Sequence, residues 1–169
     1  MALAAIMAAI VPLLNAVSGP LSLARPPLYV SFRLSTPAIF TALFVDPWAA
    51  ALGGAIGQFL YDGVSRSWFS ALLTGFAGTL LVAAVFYKTA TLGGTVTVWK
   101  LALAGALAAL TRSVVVASTL ALFGAPWVAV FLGTIAGTLL SNLILTLAIV
   151  APALRWLKRS NMLKCACKL

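Results

Sequence analysis

Long stretches of this chain carry no charged side chain, and no other feature constrains its fold as tightly. Residues 68–86 and 114–123 are such runs, and neither shows polarity at every second position. That pattern argues against an outer-membrane barrel, whose strands alternate apolar and polar residues over about ten positions. Hydrophobic residues make up 63% of the chain and charged residues 8%, where an ordinary soluble domain carries about a quarter charged residues. A soluble fold of this length leaves much of its chain wet and could not hide so much apolar surface. The only acids are Asp46 and Asp62, and there is no His. Hydrocarbon must therefore cover most of what water would otherwise face, and the expected class is an all-α integral membrane protein.

A spanning helix needs about 20 apolar residues and a bundle connection about 2 to 8. Six spans then nearly exhaust the chain as a single transmembrane domain over 1–169. The expected helices are about 1–17, 28–45, 47–61, 68–87, 98–123 and 126–156, followed by a basic tail at 157–169. Ser18-Gly19-Pro20 ends the first, and the absence of a basic residue ahead of its apolar run argues against a cleavable signal peptide. Asp46 is placed to cap the third helix, with Pro47 in its first turn. Residues 62–67 read as a polar turn, Gly93-Gly94 as a loop and Gly124-Ala125-Pro126 as a tight turn. Pro152 is expected to kink or end the last apolar run.

With six spans both termini share one side. That side receives Lys88, Lys100, Arg155, Lys158, Arg159, Lys164 and Lys168, and the other only Arg25 and Arg66. The positive-inside rule then places both termini in the cytoplasm of a multi-pass cell-membrane protein. The net charge of +9 belongs to these membrane-flanking cations and to anionic lipid, and nucleic acid is not an expected partner.

One pattern goes beyond hydropathy. Ala42-Leu43-Phe44-Val45-Asp46-Pro47-Trp48 recurs as Ala121-Leu122-Phe123-Gly124-Ala125-Pro126-Trp127, and at the same offset Arg33 matches Arg112 and Gly54 matches Gly133. Three helices separate the copies, so equivalent helices run in opposite directions, as in the 3+3 inverted repeats of many secondary transporters. Small residues recur at helical spacing at Ala49, Gly53 and Gly57, at Ala129, Gly133, Gly137 and Ser141, and in the pairs Ala4–Ala8 and Ala5–Ala9. Such faces let helix backbones approach closely. For the third and sixth helices packing inside the monomer is the expected use; for the first, an external partner is an equal alternative.

Two of these stretches carry a resemblance. Residues 40–62 pass through Asp46-Pro47-Trp48 into a glycine-rich helix ending near an acid, and Ala4, Ala5, Ala8 and Ala9 form an Ala-xxx-Ala motif. Together with length, span number and cytoplasmic termini, they make the chain resemble the substrate-binding S-components of energy-coupling factor (ECF) transporters. The resemblance implies a binding subunit for a vitamin or similar micronutrient, held near the outer face. It implies a transmembrane coupling subunit docked on Ala4, Ala5, Ala8 and Ala9, and ATPase subunits that supply energy. The lack of a Gly-x-x-x-x-Gly-Lys-Ser/Thr stretch agrees with ATP being hydrolysed elsewhere. The lack of His argues against the nickel and cobalt subgroups.

An ionisable residue inside a membrane costs several kcal/mol and usually faces a cavity or a partner. Counting from the Pro-Trp turns puts Arg33 about 20 Å and Arg112 about 10 Å above the cytoplasmic boundary, as two separate positions. Arg33 is the candidate for binding a carboxylate or phosphate, because its planar fork suits such groups; snorkelling to headgroups is the other reading. Arg112 is expected to be structural, pairing with Asp46 or snorkelling. Gln58 and Asp62 are candidate hydrogen-bonding groups for a solute. Asn142 is expected to be buried with a partner, and Trp68, Tyr61 and Tyr29 sit near the outer interface, where an aromatic belt competes with ligand stacking. Cys165 and Cys167 are too few for a zinc site and read as free thiols. No metal or cofactor is expected.

Enzyme chemistry has little support without His, a nucleophile motif or neighbouring acids. Two other classes stay open: an accessory or scaffold subunit of a larger membrane complex, and a small stand-alone carrier or channel built on the repeat.

Overall fold

The computed structural model describes residues 1–18, 23–25, 28–30, 33–65, 67–160 and 166–167, with backbone alone for 23–25, 28–30, 65 and 166–167. Arg66, Lys164, Cys165 and Lys168 and the side chains of Arg25, Tyr29 and Cys167 lie outside what is described. The architecture is helical: α1 (Ala2–Ser18), α2 (Ser35–Ala42), α3 (Pro47–Ser65), α4 (Trp68–Ala90), α5 (Val98–Ala121) and α6 (Trp127–Arg159). Three of these, α4, α5 and α6, are long and apolar enough to cross a membrane. A short antiparallel pair, β1 (Leu23–Arg25) and β2 (Leu28–Val30), joins α1 to α2 and packs against α6. A second pair, β3 (Thr95–Val96) and β4 (Ala166–Cys167), is parallel.

The expected helix over 28–45 is corrected. Leu28–Val30 is a strand, and the helix runs only from Ser35 to Ala42. Pro37 supplies the reason: proline is tolerated in the first turn of a helix and disrupts an interior, so the helix starts just ahead of it. Arg33 therefore precedes α2, whereas its repeat counterpart Arg112 lies well inside α5. The expected turn at 62–67 is corrected as well, because α3 continues through Asp62 and Gly63 to Ser65. At its other end Asp46 Oδ1 accepts from the Ala49 N–H at 3.3 Å, the expected cap.

Pro152 neither ends nor breaks α6. The turns just before it, Thr146–Val150, are π-helical, and this widening relieves the clash between a proline ring and the carbonyl four residues back. In α4 a second π-helical segment covers Ala71–Ala77.

Neighbouring helices are set by glycines. A Cβ at Gly53 would lie 2.3 Å from the Ala4 carbonyl oxygen, and one at Gly57 2.8 Å from Val11 Cβ. So α1 and α3 run parallel in close contact, with α2 returning between them. Gly75 on α4 meets Phe59 of α3, Gly78 meets Val115 of α5, and Gly105 of α5 meets Thr146 of α6. Each of these pairs is antiparallel. The end of the bundle where α1 begins is called proximal below, the other distal. The proximal half is filled by apolar side chains: Phe40 of α2 stacks on Phe86 of α4 with centroids 3.7 Å apart, and Phe44 meets Phe86 edge-on at 6.4 Å. Leu43, Leu101 and Leu154 close around them, fully buried.

The small-residue face of α6 differs from that of α3. Gly137 and Ser141 are buried, but a Cβ at Gly133 would meet nothing within 4 Å and Ala129 is exposed. Gly53→Val is therefore expected to destabilise by about 1–3 kcal/mol, through overpacking against the α1 backbone. Gly133→Ala should stay within about 0.5 kcal/mol of wild type. Thermal unfolding of the detergent-solubilised protein compares the two.

Candidate functional site

Polar side chains gather in the distal half, where α1, α2 and α3 meet. Asn15, in the last turn of α1, donates through Nδ2 to Gln58 Oε1 at 2.9 Å and accepts at Oδ1 from the Ser35 hydroxyl at 2.6 Å. Gln58 in turn donates through Nε2 to Asp62 Oδ2 at 3.0 Å. Ser18 Oγ donates to the Asn15 carbonyl at 3.3 Å. All five side chains are at least 97% buried. Helix geometry makes the chain of bonds: Gln58 and Asp62 are four apart and so share a face of α3, while the close approach of α1 at Gly53 and Gly57 brings Asn15 within reach.

Asp62 also borders α4. A Cβ at Gly75 would lie 3.2 Å from Asp62 Oδ2 and 3.1 Å from the Phe59 Cα. The missing side chain at Gly75, inside the π-helical segment, makes room for the carboxylate.

Beside Gln58 lies a cavity of about 20 Å³, room for about one water. Its polar lining is Ser35 and Thr36 at the start of α2, Gln58, Thr79 of α4 and Arg112 of α5, with Phe40 on the proximal side. Arg112, expected near Asp46 at the other end of the bundle, is instead at the level of Ser35 and Gln58. Depth counted from the distal turn places Arg112 too low, because α5, at 24 residues and about 1.5 Å per residue, is longer than a hydrocarbon core of about 30 Å. Arg33 lies two residues before Ser35 and is half-buried, with its carbonyl accepting from the Thr36 N–H at 3.1 Å. Arg33 and Arg112 thus belong to one region of the bundle and not to two levels.

Of the other expected site residues, Trp68 stands at the distal start of α4. Its ring covers Gly63 and packs on Phe59 with centroids 5.4 Å apart, while 56% of it is exposed. It does not line the cavity. Asn142 of α6 is buried, and its Nδ2 has no hydrogen-bond partner among the described residues; Thr146 Oγ1 and Ser113 Oγ share that state. Ala4 and Ala8 are half-buried against the glycines of α3, whereas Ala5 and Ala9 are exposed beside Ile6 and Ile10. Sequence reasoning missed Asn15, Ser35 and Thr79. Asn15 could have been found as an amide within an apolar helix; Ser35 and Thr79 resemble the many hydroxyls that membrane helices tolerate.

As chemistry, the arrangement offers hydrogen-bond donors and acceptors and a guanidinium in a low-dielectric interior. Among the described residues no cluster of His, Cys, Asp or Glu could hold a metal ion. Compared with protein-family models, curated proteins and solved structures, the chain gives no match.

Two amides test the distinction between a satisfied and an unsatisfied buried group. Gln58→Leu deprives both Asn15 and Asp62 of a partner, and stranding buried polar groups costs about 1–3 kcal/mol each. Asn142→Leu removes an Nδ2 that has no hydrogen-bond partner among the described residues and is expected to leave stability unchanged or slightly raised. Melting temperatures of the two variants, measured side by side, check the contrast.

Proposed function

We propose that this chain is the solute-binding membrane subunit of an uptake transporter, driven by ATPase subunits on separate chains. In this reading it is a six-span bundle with both termini in the cytoplasm. The observation that carries it is the buried polar chain Ser35–Asn15–Gln58–Asp62 beside a cavity lined by Arg112. Ionisable and amide groups buried among apolar helices are expensive, and their usual use is a solute or ion pathway. The exposed basic side chains Lys88, Arg155, Lys158 and Arg159 cluster at the proximal end, which supports placing that end in the cytoplasm. The polar chain then lies in the outer half of the bilayer, facing the side from which a nutrient arrives.

The solute is anionic in this proposal, with Arg33 as the group that pairs with its carboxylate or phosphate and Gln58, Asp62 and Asn142 as hydrogen-bonding partners. A drug-sized ligand needs some hundreds of Å³, far more than the cavity offers, so binding requires the distal ends of the helices to part. Support for the inverted repeat comes from the helix starts: Pro47-Trp48 opens α3 and Pro126-Trp127 opens α6. The unlike lengths of α2 and α5 limit it. The resemblance to ECF S-components adds a docking face for a coupling subunit, for which exposed Ala5 and Ala9 are better placed than Ala4 and Ala8.

A scaffold subunit is the second reading, and the smallness of the cavity with the open face at Ala129 and Gly133 favours it. Mass spectrometry of small molecules copurifying with the protein separates the two. The transport reading expects a bound anionic solute whose affinity falls about ten-fold or more in Arg33→Ala, as expected for loss of a charged hydrogen bond. It expects Ala9→Trp to retain solute affinity and lose association with partner subunits. Protein that copurifies with membrane partners but binds no solute would establish the scaffold instead.

A further inference from the structure

The basic side chains of the proximal end are not used alike. Lys100 of α5 is spent on its own loop, where its ammonium donates to the Leu92 carbonyl and to the carbonyl and hydroxyl of Thr95. Arg155 and Arg159 of α6 are exposed, and neither makes a hydrogen bond or ion pair among the described residues. Nor do they cap the helix on which they sit. The end of α6 is closed locally, by the Ser160 N–H and hydroxyl, which both donate to the Trp156 carbonyl at 3.1 and 3.2 Å. Two guanidiniums, each with five N–H donors, are left to what lies outside the fold.

Their placement is fixed. Ala151, Leu154 and Leu157 are buried and hold the last turns of α6 against the bundle. At about 100° per residue, Arg159 falls between Arg155 and Trp156 on the opposite side, so the three form one outward face. Residues four apart on a helix have Cβ atoms about 5–6 Å apart, and like charges at that spacing repel. Asp46, the acid described at this end, is engaged as the cap of α3. The face is therefore short of an anion.

Trp156 marks the level of that face. It is 64% exposed, and Trp48 and Trp99, at the proximal starts of α3 and α5, are 80% and 85% exposed. Three uncovered indoles from three helices at one end are the mark of a bilayer interface, where such rings settle among headgroups. Arg155 and Arg159 stand within one turn of the indole, hence at the level of lipid phosphates.

We propose that Arg155, Trp156 and Arg159 form a headgroup site for one anionic phospholipid, its phosphate between the two guanidiniums and its glycerol end against the indole. The planar fork of a guanidinium matches phosphate oxygens. Each cation at a membrane surface favours anionic headgroups by about 1 kcal/mol, whereas a zwitterionic headgroup brings an ammonium to a face already positive. The inference rests on the chain lying in a bilayer, to which its three long apolar helices point, and not on transport. It goes beyond the general attraction of basic flanks to lipid by assigning one lipid to one face.

The test uses the full chain, purified and delipidated in a neutral detergent at about 0.15 M salt, where distant charges are screened. Its melting temperature is followed as phosphatidylglycerol, phosphatidylcholine or glycerol 3-phosphate is added. Expected is a saturable rise with phosphatidylglycerol alone. Arg159→Gln should raise the half-saturating lipid concentration about ten-fold, the usual effect of losing a charged hydrogen bond. Lys88→Gln removes an exposed charge from the same end but from α4, and should raise it less than about two-fold. No rise with phosphatidylglycerol, or an equal one with phosphatidylcholine, would overturn the proposal. Glycerol 3-phosphate acting as well as the lipid would overturn the lipid as occupant, and Lys88→Gln weakening the response as much as Arg159→Gln would overturn the site in favour of diffuse charge. No solute or partner subunit enters these measurements, so this proposal and the transport reading fail independently.

Discussion

The contact between α1 and α3 organises everything distal to it. Gly53 and Gly57 remove the side chains that would hold the two backbones apart, and the Ala4 carbonyl and the Val11 side chain occupy the resulting space. In a bilayer such a close approach would have to come from packing, because hydrocarbon on the outside removes the usual advantage of burying apolar surface. Two parallel helices at this distance bring Asn15 against Gln58, and α2 supplies Ser35 from between them. The polar chain is thus a consequence of two missing side chains one turn apart.

The two halves of the bundle solve different problems. Proximally, Phe40, Phe44 and Phe86 fill the space between α2 and α4 with rings in direct contact. Distally, the interior is held by hydrogen bonds between side chains, and bonds of this kind in membranes average only about 0.6 kcal/mol. A structure that is apolar and interlocked at one end and joined by modest polar contacts at the other is disposed to loosen at the second. The π-helical segment of α4 lies on that side too, where its Gly75 faces Asp62.

How much of this was legible beforehand depended on what each residue answers to. The starts of α3, α4 and α5 followed from local chemistry: Asp46 as a cap, Pro47 in a first turn, and polar residues between apolar runs. The extent of α2 did not, because apolar composition over 28–45 suits an extended segment and a helix equally well, and only Pro37 hints at the late start. Gln58 stands out as a polar residue in an apolar helix and Asp62 as an acid in the turn expected after it, and the two are neighbours in one network. Their partners were hidden, since Asn15 and Ser35 become adjacent only through a glycine contact that spacing suggests without naming its other side. The level of Arg112 does not follow from its distance to the distal turn, because α5 is longer than a single hydrocarbon core. Trp68 and Asn142 were recognised by residue type alone, and type does not say which neighbour a side chain meets.

The length of α6 has a consequence for the position of the whole molecule. At about 1.5 Å per residue its 33 residues reach about 50 Å, against a hydrocarbon core of about 30 Å. In a bilayer the surplus must emerge, and it does so at the end carrying Arg155, Trp156, Lys158 and Arg159, all exposed, while Leu154 and Leu157 hold that end to the bundle. Sinking the rod further into lipid would drag cations into hydrocarbon, and raising it would pull the indole out of the headgroup layer where such rings settle. In a bilayer the last helix would thus serve as a float line, setting the depth at which the buried polar groups of the other helices come to rest.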